Sequence, residues 1–379
     1  MTWRAVSRDI AAWRAGSDDR IDTAQRAVAA WLLDRAQMRR GLNQGGVAGA
    51  IDDAVGALYL YPEVAGYFLQ WLAWLRVLRR PNRRLAERAA ACQRWLALWI
   101  EPATPPQTRI YLQAHELDWR NSAVFFFDLS MVLRGLASAA EQELLDIDKR
   151  LVDALVGWLS KLAAPGGDFL ACLATSPQVD LPDRWSTRRG AFLAKAAAGV
   201  LSAAQVLPQV NAQLRDAAER TLASSLLAAT TQPHPEVHPQ LYAIEGALAP
   251  AADDLSAPHL PMLAQQVDAM LRAATPRGLP QESAGGRGVA RVDAAAQCLR
   301  AAFLLHARDA CWRPDAGCLR RMLDALVRQV SAEGALPFAA TGTKAPGSVW
   351  AAMFTEQALT LSGLRSGDAF LRDARRWIV

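Results

Sequence analysis

The sequence predicts an all-α protein, an (α/α)6 toroid of six helical hairpins in an inner and an outer ring, with an extra N-terminal helix. Three observations predict it. A hairpin pattern recurs about six times at intervals of roughly 50 to 65 residues. Charged amphipathic segments alternate with segments that are apolar nearly all round. Several of the amphipathic segments run into a glycine-containing exit.

The amphipathic segments are Thr23 to Gln37, Arg83 to Ile100, Asp146 to Leu162, Asn211 to Ala229, His259 to Ala273 and Asp315 to Val330. In the fourth, Leu214, Ala217, Ala218, Leu222, Ser225 and Leu226 recur at spacings of three and four. Arg215, Asp216, Glu219 and Arg220 take the other side, so the helix has one wet face and belongs to the outer ring. The exits are Gly45-Gly46, Gly166-Gly167, Gly278 and Gly334. Glycine adopts the left-handed conformation that ends a helix.

The inner segments start at Tyr61-Pro62-Glu63 and then run Asn121 to Leu136, Trp185 to Leu201, His238 to Leu248, Arg291 to Leu305 and Val349 to Leu361. A helix without a polar face is buried on all sides. No run reads as a core strand, although short strands at loop tips are compatible with the pattern. No linker interrupts the chain, so residues 1–379 are expected to form one domain. Within it, segment 1–20, with Trp3, Ile10 and Trp13, forms a helix that caps the barrel or packs on a partner protein.

Hydrophobic residues make up 52% of the chain, enough for a large core. The net charge of +5 does not indicate nucleic acid, because the basic residues are scattered and not striped with aromatics. No window approaches the roughly twenty apolar residues of a membrane span, and Met1 to Arg14 lacks the apolar stretch of a secretory signal. The five dispersed cysteines read as small hydrophobes with reduced thiols, which places the protein in the cytoplasm.

Gly45-Gly46-Val47-Ala48 followed by Tyr61-Pro62-Glu63-Val64-Ala65-Gly66-Tyr67 resembles the opening repeat of bacterial (α/α)6 toroid proteins. His238-Pro239-Gln240-Leu241-Tyr242-Ala243-Ile244-Glu245-Gly246 and Val349 to Phe354 resemble later inner helices of that group. Its members look like terpenoid cyclase and six-hairpin glycosidase toroids, often associated with polysaccharide biosynthesis. The resemblance implies the fold more than a reaction. Isoprenoid chemistry would need an Asp-x-Asp-Asp acid or an Asp-Asp-x-x-Asp magnesium site. Asp52-Asp53 and Asp253-Asp254 are bare pairs, and Asp146-Ile147-Asp148 reads as a helix N-cap.

Stepping each inner helix by four and three keeps to one face. This gives Glu63, Tyr67 and Gln70; Asn121, Phe125 and Asp128; Arg188, Phe192 and Lys195. The later helices give His238, Tyr242 and Glu245; Asp293, Gln297 and Arg300; Trp350, Phe354 and Gln357. Such a polar stripe either lines a shared funnel or satisfies itself between packed helices. The funnel reading makes His238, Tyr242, Glu245, Glu63 and Asp293 the catalytic candidates, as groups capable of acid–base chemistry. Tyr67, Asn121, Asp128, Arg188, Arg189, Gln297 and Trp350 are the substrate-binding candidates. Two carboxylates would suit glycoside hydrolysis; a His/Tyr pair with Arg188 or Arg189 would suit proton abstraction beside a uronate, with elimination or epimerisation.

Other constellations are weaker. His234 and His238 lack a third metal ligand and the HExxH order, and the cysteines lack paired spacing, so no metal and no cofactor are expected. His115 to Trp119 reads as a rim loop, and Gly285 to Gly288 as a flexible connection. The expected function is an enzyme acting on a saccharide or similar polar metabolite by hydrolysis, elimination or epimerisation within a biosynthetic pathway. The alternatives are a non-catalytic toroid that binds a partner protein or intermediate, and an isoprenoid cyclase-like enzyme.

Overall fold

The computed structural model describes residues 18–78, 83–113, 118–309, 311–341, 345–364, 370 and 373–379. Most of the anticipated N-terminal helix, residues 1–17, and the His115–Leu117 part of the rim loop lie outside the described residues. The described part of segment 1–20, Asp18 to Arg20, opens the first outer helix.

Among the described residues, twelve helices of at least twelve residues form the (α/α)6 toroid. The outer ring is α1 (Asp18–Arg35), α3 (Arg83–Trp99), α5 (Lys149–Leu162), α7 (Ala212–Thr231), α9 (Leu260–Ala273) and α11 (Ala316–Val327). The inner ring is α2 (Pro62–Leu78), α4 (Phe126–Glu141), α6 (Leu193–Ala204), α8 (Val237–Leu248), α10 (Val292–Arg308) and α12 (Val349–Ser362). Each inner helix packs on the next, and α12 packs on both α2 and α1, which closes the ring. No described helix is long and apolar enough to cross a membrane.

The exit glycines form the seam between repeats. Gly45, Gly167, Gly278 and Gly334 all have φ between 87° and 96°, the left-handed region. Each sits against the following outer helix: a Cβ on Gly45 would lie 2.0 Å from the Ala91 carbonyl oxygen of α3. One on Gly334, after the last outer helix, would lie 2.1 Å from the Ala27 carbonyl oxygen of the first. Inner helices meet as closely, since a Cβ on Gly135 of α4 would lie 2.2 Å from the Gly66 carbonyl oxygen of α2. Asp148 accepts hydrogen bonds from the backbone N–H groups of Arg150 and Leu151, an N-cap of α5.

Among the described residues, eight short strands collar one end of the barrel. β1 (Ala48–Asp52), β2 (Gly56–Leu60), β3 (Ile110–Tyr111) and β8 (Gly347–Ser348) form an antiparallel sheet in the order β3-β2-β1-β8. β4 (Ala123–Phe125) pairs with β5 (Cys172–Ala174), and β6 (Ala290–Arg291) with β7 (Ala339–Ala340). β4, β6 and β8 run directly into the N-termini of α4, α10 and α12.

These strands correct two of the expected stripes. Residues 119–122 form a 3-10 turn before β4, so Asn121, Phe125 and Asp128 do not share a helical face. Arg188 likewise precedes α6, which starts at Leu193. Both segments are apolar enough to resemble helix, but their residues pair as strand or turn ahead of it.

Candidate active site at the barrel mouth

A cavity of about 560 Å³ opens where the N-termini of the inner helices converge. Glu63, Asp128, Phe192, His238 and Trp350 project into it from the opening turns of their helices or just before, and Arg291 from the N-cap of α10. The collar supplies Tyr59, Tyr61, Arg109, Trp119 and Trp185. Helix N-termini carry partial positive charge, so the mouth favours carboxylates and other electron-rich groups.

Glu63 of α2 and Asp128 of α4 both line the cavity. Burial pushes the Glu63 carboxyl above its usual range, against the Tyr61 and Tyr67 hydroxyls that favour the anion. Burial also pushes Asp128 well above its range, and the neighbouring Glu63 charge adds to the shift. Two carboxyls so placed retain a proton where isolated ones would not.

Among the described residues that line the cavity, His238 is the one histidine. Its Nδ1 lies 2.6 Å from Gln297 Oε1, and Gln297 Nε2 donates to Glu245 Oε2 at 3.1 Å. Glu245 also accepts from Lys195 Nζ at 2.8 Å and from the Arg300 guanidinium. The ionised carboxylate can only accept, so the Gln297 amide must turn its NH2 toward Glu245 and its oxygen toward His238. His238 therefore carries its proton on Nδ1, and its Nε2 keeps a lone pair. Burial lowers the His238 pKa to about 4 despite Asp293, whose Oδ2 lies 3.9 Å from Nδ1, so the ring is neutral near pH 7. Tyr242 packs one turn further in, its ring centroid 4.4 Å from that of His238.

The remaining sequence candidates divide between floor and periphery. Asp293 is fully buried below the cavity and accepts from Arg291 Nε at 2.8 Å, Arg291 Nη2 at 2.7 Å and Trp350 Nε1 at 3.2 Å. Burial would raise its pKa, but Arg291 first and then His238 hold it below the usual range. Glu245, Gln297 and Tyr67 are also floor residues and do not line the cavity. Burial drives Lys195 down to about 7 against the pull of Glu245. Its ammonium sits 4.8 Å from the Tyr67 ring centroid and 4.7 Å from that of Tyr242.

Asn121 bonds both backbone polar groups of Arg109, at 2.9 and 2.8 Å, and so fixes the loop that carries Arg109. Arg188 and Arg189 are exposed; Arg188 pairs with Asp183, and neither lines the cavity. His234 Nδ1 accepts from the Glu236 backbone N–H. Among the described residues no His, Cys, Asp and Glu group could hold a metal ion.

Several lining residues escaped the stripe. Arg109 stacks 4.5 Å from the Tyr59 ring centroid and pairs with Asp118 at 3.5 Å. Trp119, Trp185 and Tyr59 come from turns and strands, where helical spacing carries no signal. Arg291 and Tyr61 directly precede inner helices, and that placement was their one available signal.

No protein-family model and no curated protein matches the sequence. The structure is similar to that of a D-mannose isomerase, with a TM-score of 0.66 at 11% identity over 90% of this chain and 96% of the other. It is similar to cellobiose 2-epimerase from Bacillus thermoamylovorans B4167, with 0.64 at 10% over 91% and 99%. It is also similar to an unsaturated glucuronyl hydrolase specific for heparin, with 0.61 at 12% over 91% and 97%. At these identities the likeness is one of fold, and it spans the whole toroid.

Proposed function

We propose that the chain is an enzyme that acts on a saccharide at the barrel mouth by proton transfer, in the manner of a sugar isomerase or epimerase. The observation that supports this most is the pairing of a bare, neutral His238 imidazole with carboxyls biased toward their protonated form. In an open-chain sugar, His238 Nε2 removes the proton from the carbon next to the carbonyl. The proton held by Glu63 or Asp128 passes to the carbonyl oxygen, giving an enediol. Return of the proton to the neighbouring carbon, with the hydroxyl proton of the first carbon passing back to the carboxylate, interconverts aldose and ketose. Return to the opposite face of the same carbon, after the enediol turns over in the site and with the enol proton passing back to the carboxylate, inverts it. The aromatic faces around the cavity suit the apolar faces of a sugar ring, and Arg109 and Arg291 suit its oxygens. The similarity to the structures of a D-mannose isomerase and a cellobiose 2-epimerase agrees with this reading.

Glycoside hydrolysis is the second reading, favoured by the Glu63 and Asp128 pair as acid and base. One experiment separates them. Incubation with reducing sugars in deuterium oxide is expected to place deuterium at carbon 2. Failure of that exchange, with 18O from water entering the reducing end released from a disaccharide, would replace proton transfer by hydrolysis.

A further inference from the structure

We propose that a second site, at the opposite end of the barrel, binds a small inorganic anion on the guanidinium of Arg134. The inner helices are parallel, so their C-terminal ends gather at the base, away from the mouth. There a cavity of about 30 Å³ lies among Arg134 and Ser138 of α4, Ser202 of α6, Gln205, Pro250 and Arg376. Its volume matches roughly two water-sized spheres, room for a halide or one face of an oxyanion.

Arg134 is 2% exposed, and its Nε has no hydrogen-bond partner. An isolated buried charge is costly, and buried guanidinium groups are ordinarily paired. Glu245, the carboxylate whose charge acts most on Arg134, already accepts from Lys195, Gln297 and Arg300. Lys195 and Arg300 thus share Glu245, while the Arg134 Nε has no acceptor. Burial lowers Arg134 to about 10, which leaves it charged at neutral pH. Glu141 also lines the cavity, and its carboxylate is paired with Arg376 Nη1 at 3.2 Å. An anion on Arg134 would take further donors from the Ser138 hydroxyl, the Gln205 amide and the half-exposed Arg376. The proposal is independent of the chemistry at the mouth.

The test is thermal melting at constant ionic strength, with sodium gluconate replaced stepwise by sodium chloride or sodium phosphate. The expected result is a saturable rise in Tm of roughly 2–5 °C with one of the two small anions. A rise with chloride alone assigns a halide-sized site, and a rise with phosphate alone an oxyanion site. Arg134→Met should abolish the rise. Should that variant fail to fold, Arg376→Gln and Ser138→Ala serve instead, each weakening the half-saturating concentration about 3–10-fold. Melting that is the same in gluconate, chloride and phosphate overturns the proposal. So does an undiminished rise in Arg134→Met, or in both of the milder variants.

Discussion

His238 derives its chemistry from residues that never reach the cavity. Glu245 dictates the orientation of Gln297, and Gln297 dictates which imidazole nitrogen is bare. His238→Asn should cost 10²–10⁴-fold in turnover, as loss of a general base does, while Tm stays nearly constant, because the ring sits at the edge of the cavity. The His238 ring should titrate near 4 by NMR and not near the ordinary 6.5. The stability contributed by its neutral form is then fully present above about pH 6.5 and is lost as pH falls toward 4. Glu63 and Asp128, whose pKa values are raised, act with the opposite sign. The contribution is therefore read as the difference between wild type and His238→Asn across that window. Glu245 behaves differently from a residue in contact with substrate. It is the shared anion of Lys195 and Arg300, so Glu245→Gln should destabilise the fold by about 3–5 kcal/mol in urea titrations.

Helices were the most legible elements, because a 3.6-residue period and glycine exits survive in the sequence without any knowledge of contacts. The outer boundaries of α3 and α7 fall within two residues of those the period gives. What the period cannot register is a strand one or two pleats long that leads into a helix. Ala123–Phe125 is as apolar as the helix it precedes, and its identity as β4 depends on Cys172–Ala174, some fifty residues away. The lining residues contributed by the collar were hidden for that reason. His238, Glu63, Asp128 and Trp350 could be placed, because each stands in or beside the first turn of a well-marked inner helix. The exit glycines allow a test at this scale. Gly334→Ala forces a left-handed φ on alanine and drives a Cβ into the Ala27 carbonyl, so it should cost more than the roughly 1–2 kcal/mol of left-handed strain alone. Gly41→Ala, with φ of 79° and open space around it, should cost only that strain. Denaturant midpoints of the two variants give the comparison.

At the scale of the whole molecule, the toroid is closed twice over. Laterally, α12 packs on α1 and α2, with Glu356 of α12 accepting from Trp71 and Trp74 of α2 at 3.0 Å each. At the base, the segment around Trp377 seals the axis: Gln357 Nε2 donates to the Trp377 carbonyl at 2.8 Å and Arg300 Nη1 to the Val379 carbonyl at 2.9 Å. Removing residues 374–379 strips Gln357 Nε2 of its acceptor, at about 1–3 kcal/mol, and leaves Arg300 Nη1 with Gln357 Oε1 alone, at 2.7 Å. It should lower Tm measurably without altering the residues of the mouth. The arrangement leaves a small cavity at one end of the barrel and a wide one at the other, with Glu63, Asp128 and His238 gathered at the wide end. A crystal structure of the protein soaked with a reducing sugar or its linear alditol tests this account most directly. The sugar is expected in the mouth cavity, with a carbon beside an oxygen-bearing carbon facing His238 Nε2 and an oxygen within hydrogen-bond reach of Glu63 or Asp128. An ordered sugar bound elsewhere, with the mouth empty at saturating concentration, would contradict it.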